Sequence, residues 1–421
     1  MRENERPVAP PWGRGAAGGQ GLLLKFVKYI RTPVRIRCAA GLVFSFSLVR
    51  RLLFAVTTDL NYDQRMQRIC ASLAQAGYQV RLVGREWPNS KPLTAQPYEQ
   101  HRLRCWFSRG KLFYLEYNLR LLLYLLGQRG FAAYGCADLD AALPTWLRAR
   151  LCRLPFVYDA HELFTEVPEV VSRPAVRRLW LAVERFVVPR TTLAYTVGPA
   201  LARLFEQRYG RPFGTVRNIS RLAESAPAAQ NEGYILYQGA LNAGRGLEAL
   251  LEAMPAVPAR LVVCGEGDLS DGLRQRAGEL GLLQSGRVEF RGYVLPAELR
   301  EVSARAAVGI SVLENLGLSY YYSLANKFFD YLHAGVPQLI SPFPEYQALN
   351  QQYQVAEVVP ELTPAALATA LNRLLGDAAH YQQLAHNCQR ARLELNWQHE
   401  EQELHRLFAA LWPAAQAPVS A

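Results

Sequence analysis

The chain lacks the cysteine patterns of a disulfide scaffold or a zinc domain. Its seven cysteines (38, 70, 105, 136, 152, 264 and 388) are odd in number, far apart and never arranged C-x-x-C, whereas such frameworks need tighter, paired spacing. A reducing, cytoplasmic setting is expected. A membrane-spanning run is missing from the basic start of the chain too: the uncharged stretch from Cys38 to Val49 has twelve residues, short of the roughly 17 to 25 that cross a bilayer. No cleavage site follows it, so a signal peptide is not expected. No G-x-x-x-x-G-K-[ST] pattern occurs, which removes the P-loop reading. Lysine is scarce, five among 47 Lys and Arg, so each one is worth placing.

What is present suits a large globular protein. With 421 residues, 50% hydrophobic and 20% charged, the chain can bury ample core, most naturally as about two or three domains. The net charge of +11 suggests a polyanion partner until it is located. Residues 1–51 hold ten Lys and Arg against two acids, a net +8, and leave +3 for the other 370 residues. That remainder is too little for a general nucleic-acid binder. Two readings of residues 1–51 stay open: an extension outside the fold, or a peripheral anchor drawn to anionic lipid.

From Leu52 strand and helix patterns alternate. RLLFAVTT reads as a strand, NYDQRMQRICASLAQAG as a helix with Met66, Ile69, Leu73 and Ala74 in register and Gly77 closing it, and YQVRLVG as the next strand. The pattern continues through KLFYLEYNLRLLLYLLGQR, FAAYGCADLDAALP, LPFVYDAHELF, RRLWLAVERFVVPR and LAYTVGPALARLFEQRYG. After Arg217 a stretch rich in Ala, Ser, Asn and Pro interrupts it. A second series, from YILYQGAL to PQLIS, then follows. The expected fold class is α/β, with two doubly wound, Rossmann-like parallel sheets facing each other across a cleft. The expected division is an extension at 1–51, a first domain at 52–217, a linker at 218–232, a second domain at 233–395, and a packing helix and tail at 396–421.

Candidate site residues fall where such sheets build their sites, at the carboxyl ends of strands. YDAHELF places His161 there, flanked by Asp159 and Glu162. Asn61 and Arg65 follow the first strand and are expected near the cleft. YQGALNAGRG sets Gly239, Gly244 and Gly246 between a strand and a helix with Arg245 among them, an arrangement in which backbone N–H groups and a guanidinium hold phosphate. Its spacing is not G-x-G-x-x-G, and no acid lies where a dinucleotide ribose would be gripped. CGEGD adds Gly265 and Gly267 at the next strand end. LSYYYSLANKFFDYLHAGVP carries Lys327 and Asp330 inside an apolar helix, where each charge requires a partner.

Taken in order, these segments resemble a retaining glycosyltransferase of the GT-B fold, the group 1 or family 4 type. TTDLNYDQRM, VYDAHELFTEVPE, YQGALNAGRGLEALLEA, LVVCGEGD, VEFRGYV and NKFFDYLHAGVP all lie in the expected order. The resemblance runs from Leu52 onward and leaves out residues 1–51. It implies that the second domain holds a nucleotide-sugar, with Arg245 and Lys327 at the diphosphate, Asp330 at the ribose hydroxyls, and Gly239, Gly265 and Gly267 admitting the donor. His161 is implied to lie beside the donor sugar. Two positions depart from the family pattern. Ala240 stands where a second arginine is usual. Tyr322 stands where an acid is usual, so Glu314 or the Tyr320–Tyr322 cluster would have to contact the sugar instead.

The implied reaction needs preorganised positive charge where the nucleoside diphosphate leaves, with no cofactor and no metal; Asp138 and Asp140 form a D-x-D at a first-domain strand end rather than a metal motif. The acceptor is expected to be a glycan or lipid-linked glycan in envelope polysaccharide or glycolipid synthesis, at the inner face of the cell membrane; the basic, aliphatic stretch 111–129 reads either as a helix buried on one face, the favoured reading, or as a peripheral membrane contact. No nucleic-acid partner is expected. A non-catalytic binding protein on the same fold is the rival reading; an epimerase is weaker, since its acids and histidines are not evident.

Overall fold

The computed structural model describes residues 49–223 and 231–412, together with two short strands, β1 (Arg35–Arg37) and β2 (Val43–Ser45), which pair antiparallel. The expectations for residues 1–51 otherwise lie outside the described residues, as does Cys38. The six described cysteines are unpaired.

The first sheet is built from β3 (Arg51–Ala55), β4 (Gln79–Glu86), β5 (Glu99–Arg104), β6 (Ala133–Ala137), β7 (Phe156–Ala160), β8 (Leu193–Thr196) and β9 (Gly214–Thr215). Its spatial order is β5-β4-β3-β6-β7-β8-β9, with every pair parallel. β6 and β7 are buried along their whole length, because helices cover both faces of a parallel sheet, and they read as continuous apolar runs. β5, EQHRLR, was not apparent in the sequence. It is an edge strand pairing only with β4 and no residue of it is fully buried, so it carries no apolar run.

The second sheet takes β10 (Tyr234–Gln238), β11 (Leu261–Cys264), β12 (Val288–Gly292), β13 (Ala306–Ser311), β14 (Gln338–Ile340) and β15 (Ala356–Val358) in the order β12-β11-β10-β13-β14-β15, again all parallel. Each sheet reverses its strand order once, between β3 and β6 in the first and between β10 and β13 in the second. The crevice at the carboxyl ends beside such a reversal is where open α/β sheets bind ligands.

The chain crosses between the sheets twice, and the crossings are tied together. Outbound, Val216 and Ile219 are buried in a core shared by both sheets. On the return, Asn396 caps the final helix, Trp397–Ala409, by accepting from the His399 N–H. That helix turns its apolar stripe onto the first sheet: Trp397, Leu404 and Phe408 join Met66, Ile69 and Leu73 of the helix Gln64–Gln75 in the shared core, and Trp397 Nε1 donates to Ser72 Oγ at 2.8 Å. Arg217 on the outbound crossing pairs with Glu400 on the return at 2.8 Å. Glu345 adds a further bridge, accepting from the N–H groups of Ala200 (2.7 Å) and Leu201 (3.2 Å) at the start of a first-domain helix.

Candidate active site

At the β3/β6 reversal the structure assembles a network of charges around His161. The His161 backbone N–H donates to Asp138 Oδ1 at 2.9 Å. Its ring lies between two carboxylates, Nδ1 3.4 Å from Asp138 Oδ2 and Nε2 3.3 Å from Asp159 Oδ2. Asp159, fully buried, is in turn gripped by Arg65, whose Nε and Nη2 donate at 3.1 and 2.7 Å while Nη1 reaches the Val216 carbonyl at 2.8 Å. Burial alone would lower the His161 pKa, but Asp138 and Asp159 outweigh it and push it up to about 9. Burial pushes Asp138 up to about 6 against the pull of His161, and Asp140 up to about 7 with the Asp138 charge adding to the effect. Asp159 moves the other way: burial would raise it, but Arg65 and His161 hold it below the usual carboxylate range. At neutral pH the imidazole is therefore an imidazolium.

Asp138 is the strained member of this group. Its φ of 57° with ψ of 174° is a backbone region that non-glycine residues avoid. The conformation is held from both sides, by its own N–H donating to the Asp159 carbonyl at 2.9 Å and by its carboxylate receiving the His161 N–H. Sequence reasoning named Asp138 only as part of a D-x-D; a side chain folded back on the histidine 23 residues later leaves no local trace.

The β10/β13 reversal is different. Lys327, in the first turn of the helix Asn326–Ala334, is 7% exposed, and its Nζ has no hydrogen-bond partner. Its Nζ lies 4.1 Å above the centre of the Tyr237 ring. Arg245 stands close by with Nε unpartnered and its guanidinium 5.1 Å from the Tyr320 ring centre. Burial, reinforced by Arg245, holds the Lys327 pKa well below its ordinary value. Two basic groups brought together, each with a buried nitrogen that has no hydrogen-bond partner, leave a place for an anion. Glu162, next to His161, is within electrostatic reach of Arg245, so the two reversals face each other across one cleft.

The glycine loops are packed to allow this approach. At Gly265, φ is +148° and a Cβ would run into the Gly239 carbonyl oxygen. The two loops are laced by Leu241 N–H to the Glu266 carbonyl (3.2 Å) and Asp268 N–H to Asn242 Oδ1 (3.2 Å), while Gly267 lies against the Leu241 backbone. Glu314 is half-buried beside the arginine loop, its N–H bonded to the Gly244 carbonyl at 2.9 Å. Gly335, at φ 75°, closes the Lys327 helix as the Ala-Gly-Val-Pro turn requires.

Asp330 leaves the same side of that helix as Lys327, three residues on. Gln238 Nε2 donates to it at 2.8 Å and Ser220 Oγ at 3.4 Å. Burial pushes its pKa up to about 6, opposed chiefly by Arg68.

Three of the expected cleft residues are otherwise engaged. Arg65 is 3% exposed and spent on Asp159 and Val216, so it lies beneath His161 instead of facing the cleft. Asn61 uses its amide to pin the following loop, donating to the Pro92 carbonyl at 2.9 Å and accepting the Thr94 N–H at 3.1 Å. Tyr322 packs its ring against the core of the first domain and edge-on to Tyr321 at 5.1 Å, an orientation its place in the sequence does not reveal.

Comparison with known proteins agrees with this architecture. Residues 62–220 match the family described as glycosyl transferase 4-like domain, and residues 232–377 match glycosyl transferases group 1. An uncharacterized glycosyltransferase of Methanocaldococcus jannaschii, MJ1607, is 28% identical over 167 residues, which span 38% of this chain and 40% of that relative. Among solved structures, sucrose-phosphate synthase from Thermosynechococcus elongatus superposes with a TM-score of 0.71 at 19% identity, covering 87% of this chain and all of its own. Anabaena HepE in complex with UDP and glucose does so with a TM-score of 0.67 at 14% identity, covering 85% and 99%. At these identities the superpositions establish the fold.

Proposed function

We propose that this chain, which carries a glycosyl transferase 4-like domain and a group 1 glycosyltransferase domain on a GT-B fold, moves a hexose from a nucleotide-sugar to a glycan or lipid-linked glycan acceptor. We further propose that the anomeric configuration is retained, that no metal is needed, and that the reaction serves envelope polysaccharide or glycolipid synthesis on the cytoplasmic side of the membrane. The observation that carries the reading is the buried, unpartnered Lys327 amino group beside Arg245.

As the anomeric C–O bond breaks, negative charge grows on the departing diphosphate. Lys327 and Arg245 are fixed in place to receive it, and the N-terminus of the Asn326–Ala334 helix adds its partial positive charge. His161, positively charged, acts as a hydrogen-bond donor to the sugar or leaving oxygen and not as a base. Asp330, held by Gln238 and Ser220, presents its carboxylate to the ribose hydroxyls. The screen that tests this measures hydrolysis and thermal stabilisation with a panel of nucleotide-sugars, UDP-sugars first because the HepE structure contains UDP. The expected result is turnover with one donor; no binding and no turnover with any would refute it. Tyr322, turned into the first domain, favours one alternative, a non-catalytic nucleotide-sugar binder, which the same screen would reveal as stabilisation without turnover.

A further inference from the structure

The strongest concentration of charge in the folded chain lies away from the cleft. Helices Gly110–Gly127, Ala142–Cys152 and Pro174–Val187 cover one side of the first sheet. With their flanks (residues 109–129, 142–153 and 173–190) they hold twelve Lys and Arg against two acids, a net +10. Outside these segments and residues 1–51 the chain is net −7, so this helical face carries the basic excess of the folded region, answered in part by Glu166, which pairs with Arg177 at 2.8 Å. The helices are locked side by side: Tyr114 meets Trp180 edge-on at 5.5 Å, and Trp146 meets Phe186 at 4.8 Å.

That basic face is also apolar. Helix Gly110–Gly127 buries Phe113, Tyr117, Leu121 and Leu125 against the sheet. Its opposite side exposes Leu112, Leu115, Leu119, Leu123 and Leu126, each between 43% and 68%. At about 100° per residue these five fall within an arc of about 80°, where a helix lying on a soluble protein would be polar. Leu151 and Leu179 carry exposed leucine onto the two neighbouring helices. Trp106, 84% exposed, stands beside the row. It is anchored there: Glu116 accepts the N–H groups of Trp106 and Phe107 at 2.9 to 3.0 Å, and the Arg120 guanidinium lies 4.5 Å from the indole ring.

We propose that this face docks the protein on an anionic lipid bilayer. A leucine row flanked by Lys111, Arg109 and Arg129, with an indole at its edge, has the chemistry that sinks into the headgroup boundary of a charged membrane. Among the described residues no helix is long and apolar enough to cross a membrane, and the contact is peripheral. The helix that carries the face also starts on the cleft side of the first sheet. The 110–127 helix begins at the carboxyl ends of the strands, and Asn118 Nδ2 donates to the Asp140 carbonyl at 2.8 Å, which joins the docking helix to the segment that holds His161. A docked molecule would therefore take an acceptor hydroxyl from the membrane surface; this part rests on the transfer reading, while docking itself does not.

The test is co-sedimentation of the full chain with vesicles of phosphatidylcholine, with and without about a third phosphatidylglycerol, for the wild type and for L115S/L119S/L123S. Because these leucines are exposed, the triple variant is expected to keep the wild-type melting temperature. The wild type is expected to bind only the anionic vesicles, and the variant on the order of tenfold more weakly. Salt should weaken wild-type binding. Equal binding by wild type and variant would overturn the proposal and assign binding to the basic residues 1–51. Loss of self-association in the variant with unchanged vesicle binding would also overturn it, as the mark of a face between copies. Donor affinity, measured by calorimetry without vesicles, is expected to be the same in both; a wild type that bound vesicles but no donor would refute transfer and leave docking intact.

Discussion

The two strand-order reversals occupy the same place in their sheets and are left in opposite electrostatic condition. In the first, Arg65, Asp159, His161 and Asp138 answer one another at 2.7 to 3.4 Å. In the second, the Lys327 amino group is buried with no hydrogen-bond partner, beside the Arg245 guanidinium, which with burial holds its pKa well below the ordinary value. A closed network keeps its geometry with nothing bound. A buried, unanswered basic group costs stability and makes physical sense where an anionic ligand completes it. The difference suggests a division of labour in which the first domain holds a catalytic group ready and the second grips the anion.

His161→Ala should have the largest effect. Turnover is expected to fall about 10²- to 10⁴-fold with nucleoside diphosphate affinity unchanged, as steady-state kinetics and calorimetry would show. An equal loss in affinity would break the division between the domains. Arg65→Ala strands the buried Asp159 carboxylate and should cost about 3–5 kcal/mol in denaturant unfolding.

Lys327→Met should do the reverse to the free protein, stabilising it by about 1–3 kcal/mol. The same change should weaken diphosphate binding about 10- to 100-fold. A destabilised variant with intact affinity would put Lys327 on the structural side of the comparison.

The pH profile offers a further test. Turnover that needs Asp138 ionised and His161 protonated should hold between about 6 and about 9, falling as pH drops through the lower value or rises through the upper. The sign for stability follows: His161 is raised on folding, so its contribution is full below the ordinary histidine value near 6.5 and is lost as pH rises through about 9. Asp138→Asn should move the alkaline limb to lower pH. The smallest effect is expected from chelation: EDTA should leave turnover unchanged, and a loss restored by a divalent cation would contradict the metal-free reading.

Much of the framework was legible in the sequence because parallel strands buried on both faces read as apolar runs between helical patterns. β6, β7, β10 and β11 all do so. His161 was legible because it ends such a strand. Lys327 was legible because a lysine among Phe328, Phe329 and Leu332 demands an explanation. What was not legible depends on contacts distant in sequence or on signals that cancel. Arg65 and Asp159 are 94 residues apart, and nothing local marks them as a pair. β5 is polar because it is an edge. The helix Gly110–Gly127 is apolar on two opposite sides, so its sequence lacks the single stripe that would have separated its buried face from its exposed one.

The most direct test of the central contrast is calorimetric titration of UDP, GDP and ADP into the wild type, Lys327→Met and Arg245→Ala, in two buffers of different ionisation enthalpy. An arriving anion should lift the Lys327 pKa from its depressed value back toward 10.5, so wild-type binding should take up protons and weaken as pH rises across that interval. The expected result is one diphosphate bound with proton uptake, weakened about tenfold or more in both variants, with the uptake gone in Lys327→Met. Unchanged affinity in both would contradict it and place the diphosphate elsewhere.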